Sequence, residues 1–131
     1  MADLFSDEWM KGYMDAWNNE PGLSGALAEI GFNSTIGYGF DGDDAPIGVI
    51  VVENGKAVAA GAYNGEDLNW DLRASEANWG KWVAKGIGMT GLGMAYATRK
   101  LKFNVGDYGA MIKDPRMAGP FIKSFGAMGN V

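Results

Sequence analysis

Aromatic residues recur in the first stretch of the chain at helical spacing. Trp9, Tyr13 and Trp17 stand at i, i+4 and i+8, with Ser6 placed to cap the helix they imply and Asn18-Asn19-Glu20-Pro21-Gly22 placed to end it. A second short apolar pattern follows at Leu23, Leu27 and Ile30. The period then changes. From Gly31 to Phe40, Phe32, Ile36, Tyr38 and Phe40 fall on one side and Asn33, Thr35, Gly37 and Gly39 on the other, which predicts a strand with one packed and one bare face.

Residues 47–63 read as two strands joined at Asn54-Gly55, a dipeptide suited to the two positive φ angles of a type I′ turn. Leu68, Trp70 and Leu72 alternate with Asn69, Asp71 and Arg73, predicting a fourth strand with one wet face and antiparallel neighbours. Ser75 is placed to cap a helix with Trp79, Trp82 and Val83 on one face, and Gly86 stands where a helix terminus favours positive φ. After the glycine-rich connector, residues 96–105 put Leu101, Phe103 and Val105 on one side of a fifth strand, with Lys100 and Lys102 outward. The tail carries an apolar stripe at Phe121, Ile122, Phe125 and Met128, in short helical stretches expected to break at Pro115 and Pro120. Such a stripe is expected to close over an open side of the helix–sheet layer, as a lid.

The order helix, helix, four strands, helix, strand, terminal helix predicts a single α+β domain over residues 1–131, with one mostly antiparallel sheet covered by helices. Gly86, Gly88 and Gly91 spell G-x-G-x-x-G, but this fingerprint holds a pyrophosphate only where it leaves a strand and opens a helix. Here it follows a predicted helix and precedes a predicted strand, so no dinucleotide cofactor is expected.

Composition narrows the chemistry. The chain of 131 residues has no histidine and no cysteine, which removes imidazole relays, thiolate nucleophiles and disulfides. A net charge of −5 gives no overall basic footprint for nucleic acid or an anionic membrane surface. The longest near-apolar run, Ile47 to Val52, is far too short to span a bilayer, so neither nucleic acid nor stable membrane insertion is expected. A cytoplasmic protein is the expectation. Asp41, Asp43 and Asp44 begin like a calcium loop but lack the glutamate at its twelfth position, so no metal is assigned. Tyr38, Tyr96 and Asp107 are the residues from which a tyrosine–carboxylate proton-transfer site can be assembled, though no spacing singles them out.

The stretch 49–86 followed by 94–112, with its strand–turn–strand, Ser-capped helix bearing an aromatic pair, glycine connector and K-x-K-x-x-x-G-D strand, resembles the sterol carrier protein type 2 family. The resemblance covers roughly residues 30 to 131. It implies a five-stranded sheet with helices on one face, an apolar tunnel between them, and binding of sterols, fatty acids or fatty acyl-CoA without transformation. The carboxyl end, Gly129-Asn130-Val131, is not a peroxisomal signal.

The residues add their own indication. Ala57, Ala59 and Gly61, or Ala60 and Ala62, form a strand surface of little volume, while the covering segments carry large, soft side chains. The candidate ligand-binding set is Trp79, Trp82, Val83, Met89, Met94, Phe103, Met111, Phe121, Phe125 and Met128, each of which also fits an ordinary core position. Lys81, Lys85, Arg99, Lys100 and Lys102 are candidates for an anionic head group, or simply a solvated face. Three readings stand: a non-enzymatic carrier of a lipid, acyl-CoA or steroid-like ligand without a catalytic residue; an accessory subunit holding such a substrate for partner enzymes; and a cofactor-free isomerase.

Overall fold

The computed structural model describes residues 3–131. Ser6 accepts a hydrogen bond from the Trp9 N–H at 3.2 Å and opens α1, Asp7–Asn18, whose buried face is Trp9, Met10, Tyr13 and Trp17. A π-helical turn, Pro21–Gly25, runs into the single turn α2, Ala26–Glu29. Strands β1 (Ser34–Phe40), β2 (Gly48–Glu53), β3 (Lys56–Ala62) and β4 (Trp70–Ala74) follow. Next come α3 (Glu76–Lys85), α4 (Met89–Ala97), β5 (Leu101–Val105), α5 (Tyr108–Lys113) and α6 (Pro115–Met128). The sheet order is β3-β2-β1-β4-β5.

The β2–β3 hairpin turns at Asn54 and Gly55, with φ of 50° and 82°, as the dipeptide predicts. A side chain at Gly55 would collide with the Ala28 backbone nitrogen, and the Gly55 carbonyl accepts from the Trp17 indole N–H at 2.9 Å, so the turn is docked between α1 and α2. Helix α1 also covers the free edge of β3. Asn18 accepts from the Ala57 N–H at 2.8 Å and donates to its carbonyl at 2.9 Å, while Asp7 accepts from the Ala62 N–H at 3.0 Å. Side chains from one helix thus satisfy edge groups that would otherwise invite another strand.

Three strand pairings are antiparallel, but β1 and β4 run parallel, with Ile36 opposite Trp70 and Tyr38 opposite Leu72. This corrects the expectation that β4 has only antiparallel neighbours: the β3–β4 connection crosses from the outer side of β2 to the other side of β1, which leaves β4 beside β1 in the same direction. The wet face predicted for β4 is dry. Arg73, 3 % exposed, holds Asp71, 6 % exposed, through Nε at 2.7 Å and Nη2 at 3.1 Å, and donates through Nη1 to the Asp43 carbonyl at 2.7 Å. The bare glycine face of β1 is covered in the same layer: a Cβ on Gly39 would stand 2.8 Å from the Pro46 backbone, and one on Gly37 would meet Pro46 and Leu68 at 3.0 Å.

Helices α1, α3, α5 and α6 pack on the opposite face. Its centre is aromatic: Phe5 lies against Tyr38 and Trp79 with ring centroids at 5.4 and 5.0 Å, and Trp79 meets Trp82 at 5.4 Å and Phe125 at 6.1 Å. Ser75 caps α3 as predicted, accepting from the Asn78 N–H at 3.1 Å. Two other expectations change. The glycine connector and the start of the predicted fifth strand are helical, as α4, because Leu92 and Ala95 bury one face at i, i+3; alternate glycines hid that period. The G-x-G-x-x-G stretch therefore runs from the end of α3 at Gly86 into the first turn of α4, where Gly91 lies, with a helix and not a strand leading into it. Pro120 does not break α6: Pro115 sits in its first turn, and Pro120 forgoes a hydrogen bond to the carbonyl of Arg116, which lies at the exposed helix start.

An apolar cavity and the cleft that meets it

Between the sheet and α6 lies an apolar cavity of about 40 Å³. Its floor is Ile36 and Tyr38 from β1 with Trp70 and Leu72 from β4. The parallel β1–β4 pairing sets these residues side by side, so the cavity owes its floor to the pairing that sequence reading missed. One wall is Trp17 of α1 with Leu23 and Leu27, presented by the π-helical turn and α2; such turns are frequent at functional sites. The roof is Met117, Phe121 and Ser124 of α6, with Met111 of α5 beside them. Asp114 joins these two helices, accepting from the Arg116 N–H at 3.0 Å.

Outside this corner lies a surface cleft of about 360 Å³ that reaches Ser34, Asn69, Gly106, Asp107 and Asp114. Cavity and cleft share Phe32, Trp70, Met111 and Met117, so four side chains stand between them. Two of the four are methionines, unbranched and able to change rotamer at little cost. Phe32, Trp70 and Met117 are half-buried, whereas Met111 is only 4 % exposed.

The cavity lining contains no charged side chain. Its two hydroxyls belong to Tyr38, which meets the hydroxyl of Tyr13, and to Ser124, which lies near Tyr13. Tyr13 and Tyr38 are 3.0 Å apart, oxygen to oxygen, and both are fully buried. Ser124 Oγ donates to the Phe121 carbonyl. With Ser124 donating to Phe121, the order that gives both phenol protons an acceptor runs from Tyr38 to Tyr13 and from Tyr13 toward Ser124 beside it. Burial pushes both phenols above their ordinary value, and at Tyr38 the neighbouring Tyr13 adds to the rise. Both are therefore neutral near pH 7.

Met111 and Phe121 of the candidate set line the cavity. Trp79, Trp82, Phe125 and Met128 lie next to it in the aromatic core, with Val83 packed against them. Trp79 is held there by its indole N–H, which donates to the Gly39 carbonyl at 2.8 Å. Phe103 joins a second aromatic group, 5.3 Å from Tyr108 and 5.9 Å from Phe121, in which Tyr96 stacks on Tyr108 at 3.8 Å. Met89 and Met94 are 50 % and 61 % exposed and touch neither cavity nor cleft. The small-residue surface of β3 lies under α1, where Ala57 and Gly61 are buried, and takes no part in the cavity. Trp17, Leu23, Leu27 and Ser124 were missed, although Met117, Phe121 and Ser124 at i, i+4 and i+7 extend the tail's apolar stripe. That tail, as α6, packs over the cavity, with Ser124, Phe125 and Met128 at most 2 % exposed.

The tyrosine–carboxylate site is not assembled. Tyr38 bonds Tyr13, Tyr96 stacks on Tyr108, and Asp107 accepts from the Ala110 N–H at 3.0 Å as the cap of α5. Among the described residues no cluster of three or more metal-ligating side chains occurs, and no helix is long and apolar enough to cross a membrane.

Among the described residues, a five-stranded mixed sheet with six α-helices, a π-helical turn and an apolar cavity between the layers defines an α+β fold, and this fold is similar to that of sterol carrier protein 2. The chain matches the crystal structure of sterol carrier protein 2 with a TM-score of 0.77 at 17 % identity, over 98 % of this chain and 99 % of that one. It matches a conserved hypothetical protein from Thermus thermophilus, described as possibly a sterol carrier protein, with a TM-score of 0.68 at 17 % identity, over 98 % and 92 % of the two chains. A UbiJ-SCP2 ubiquinone synthesis protein gives 0.58 at 11 % identity, over 91 % and 86 %. The chain thus has the sterol carrier protein 2 fold. No protein-family model and no curated protein matches the sequence.

Proposed function

We propose that this protein binds and carries one uncharged, largely apolar small molecule, held between β1, β4 and α6 and admitted through the α5–α6 corner. The observation that carries the reading is the junction of cavity and cleft. As it stands the cavity, at about 40 Å³, has room for a few waters at most. The adjoining cleft measures about 360 Å³, and turning Met111 and Met117 aside joins the two into a site of ordinary small-ligand size. Burial of each methylene contributes ~0.8 kcal/mol, so about ten methylenes give roughly 8 kcal/mol before the entropic cost of association.

The lining also selects. With no cation among the lining residues, a buried carboxylate has no partner, and desolvating it unpaired is costly. Tyr38 can accept a hydrogen bond from an alcohol, or donate to a carbonyl if the Tyr13–Tyr38 bond reverses. At the cleft, Asp107 and Asp114 repel phosphates, and Arg116 is already paired with Asp114 at 3.1 Å. A neutral alcohol or ketone fits this site better than a fatty acid or acyl-CoA. Carriage without chemical change agrees with a lining that lacks a carboxylate beside the phenols. Native mass spectrometry of freshly purified protein, followed by extraction, tests the reading: a retained neutral lipid at one equivalent supports it, and an anionic one contradicts the selection. A second reading, presentation of an apolar substrate to biosynthetic enzymes, has the ubiquinone-synthesis structure as its support. Co-purification with an enzyme complex distinguishes it.

A further inference from the structure

The chain's net charge conceals a segregation. Between Glu76 and Asp107 lie five of the eleven cations and none of the sixteen carboxylates, leaving six cations against sixteen carboxylates elsewhere. In the middle of this basic segment is α4, whose sequence MTGLGMAYA contains no charged residue. Leu92 and Ala95 face inward, while Met89, Met94 and Tyr96 are 50 %, 61 % and 42 % exposed. A surface helix in water ordinarily turns charged residues outward; this one turns methionines outward. Its nine residues span ~13 Å, with Lys85 four positions before the helix and Arg99 and Lys100 just after Thr98, which caps its end. Lys85, Arg99 and Lys100 form no ion pair among the described residues.

We propose that α4 and its flanking cations are a docking surface for an anionic lipid bilayer, with Met89 and Met94 entering the interface and Lys85, Arg99 and Lys100 meeting lipid phosphates. Apolar side chains flanked by cations at both ends of the helix, on a protein otherwise strongly acidic, match a surface that is negative outside and greasy beneath. An acidic protein partner would satisfy the cations but leave the two methionines without a use. The acidic remainder of the chain also fixes orientation, because the faces away from α4 are repelled. Beside α4, a surface groove of about 570 Å³ under Gly86–Gly88 carries Lys85 and Lys123 with Glu20, adding a further cation at that corner. The surface touches the cavity's entrance only indirectly, through Tyr96 stacked on Tyr108 of α5, the helix that carries Met111. Docking is therefore independent of carriage.

Co-sedimentation of the full chain with vesicles tests it, comparing pure phosphatidylcholine with equal parts phosphatidylcholine and phosphatidylglycerol. Binding to the anionic vesicles, weakening as salt rises, is expected. Each cation near such a surface is worth roughly five-fold in partitioning, so Lys85→Gln, Arg99→Gln and Lys100→Gln together should reduce it ~100-fold. Met94→Asp should also weaken binding, while Lys56→Gln, on β3, should leave it unchanged. All these positions are exposed, and circular dichroism confirms that each variant folds. No binding to anionic vesicles, equal binding to neutral ones, retention by the triple variant, or capture of an acidic protein in place of vesicles would overturn the proposal. Uptake of a soluble reporter ligand, measured on the same samples without vesicles, reports on carriage separately.

Discussion

Removing single hydroxyls from the Tyr13–Tyr38–Ser124 chain separates an anchor from a chance contact. If protons run from Tyr38 through Tyr13 to Ser124, Tyr13 is the middle link. Tyr13→Phe leaves the Tyr38 hydroxyl, in a side chain 1 % exposed, without a partner, and an unsatisfied buried hydroxyl costs ~1–3 kcal/mol. Tyr38→Phe leaves Tyr13 its contact with Ser124 and should cost about 1 kcal/mol. The double variant strands no hydroxyl, since Ser124 keeps the Phe121 carbonyl, so it should be no less stable than Tyr13→Phe alone. At roughly 4 °C per kcal/mol for a domain of this size, thermal melts resolve these differences. Selection should follow the same atoms: the parent should prefer a long-chain alcohol to the alkane of equal length, and both Tyr38→Phe and the double variant should lose that preference while keeping alkane affinity. Additive destabilisation, or an unchanged alcohol preference in Tyr38→Phe, would refute the hydroxyl chain as drawn.

The same phenols set an alkaline limit. Their folded-state values lie above the ordinary tyrosine value, so the stability they contribute is complete below about pH 10 and is lost as pH rises toward the folded values, by about 1.4 kcal/mol per pH unit for each. Urea melts from pH 9 upward should show this fall, and the double phenylalanine variant should flatten it. Asp71→Asn should destabilise by ~3–5 kcal/mol, because it leaves the Arg73 guanidinium buried with its charge uncompensated; a melt within about 1 °C of the parent would contradict the dry ion pair. Deleting residues 119–131 should unfold the domain, since it removes Phe125 from its stack on Trp79; a folded truncation that releases ligand faster would instead favour a tail acting as a lid.

The sequence made legible whatever depends on local chemistry. Serine caps, the Asn54-Gly55 turn and the aromatic face of α1 follow from spacing alone, and the structure has them where the pattern puts them. Strand pairing is non-local, and alternation is the same for a parallel and an antiparallel neighbour, so β4 beside β1 was hidden, and the cavity floor with it. Asp71 and Arg73 looked solvated because each alone is polar; only the covering loops turn them into a buried pair. Helix α4 was hidden by glycines, and its surroundings by a net charge that averages opposite halves. Among the candidate residues, size and softness singled out Trp79, Trp82 and Phe125, yet these properties serve a packed core as well as a cavity wall.

Titration with a fluorophore-tagged long-chain alcohol, read by quenching of tryptophan emission, tests carriage most directly, because Trp17 and Trp70 stand in the cavity wall. The parent protein should saturate at one equivalent. Met117→Trp, which fills the gate with a bulky, stiffer side chain, should weaken uptake at least ten-fold while the domain stays folded. Absence of saturable binding, or equal binding by parent and variant, would contradict a ligand held between β1, β4 and α6.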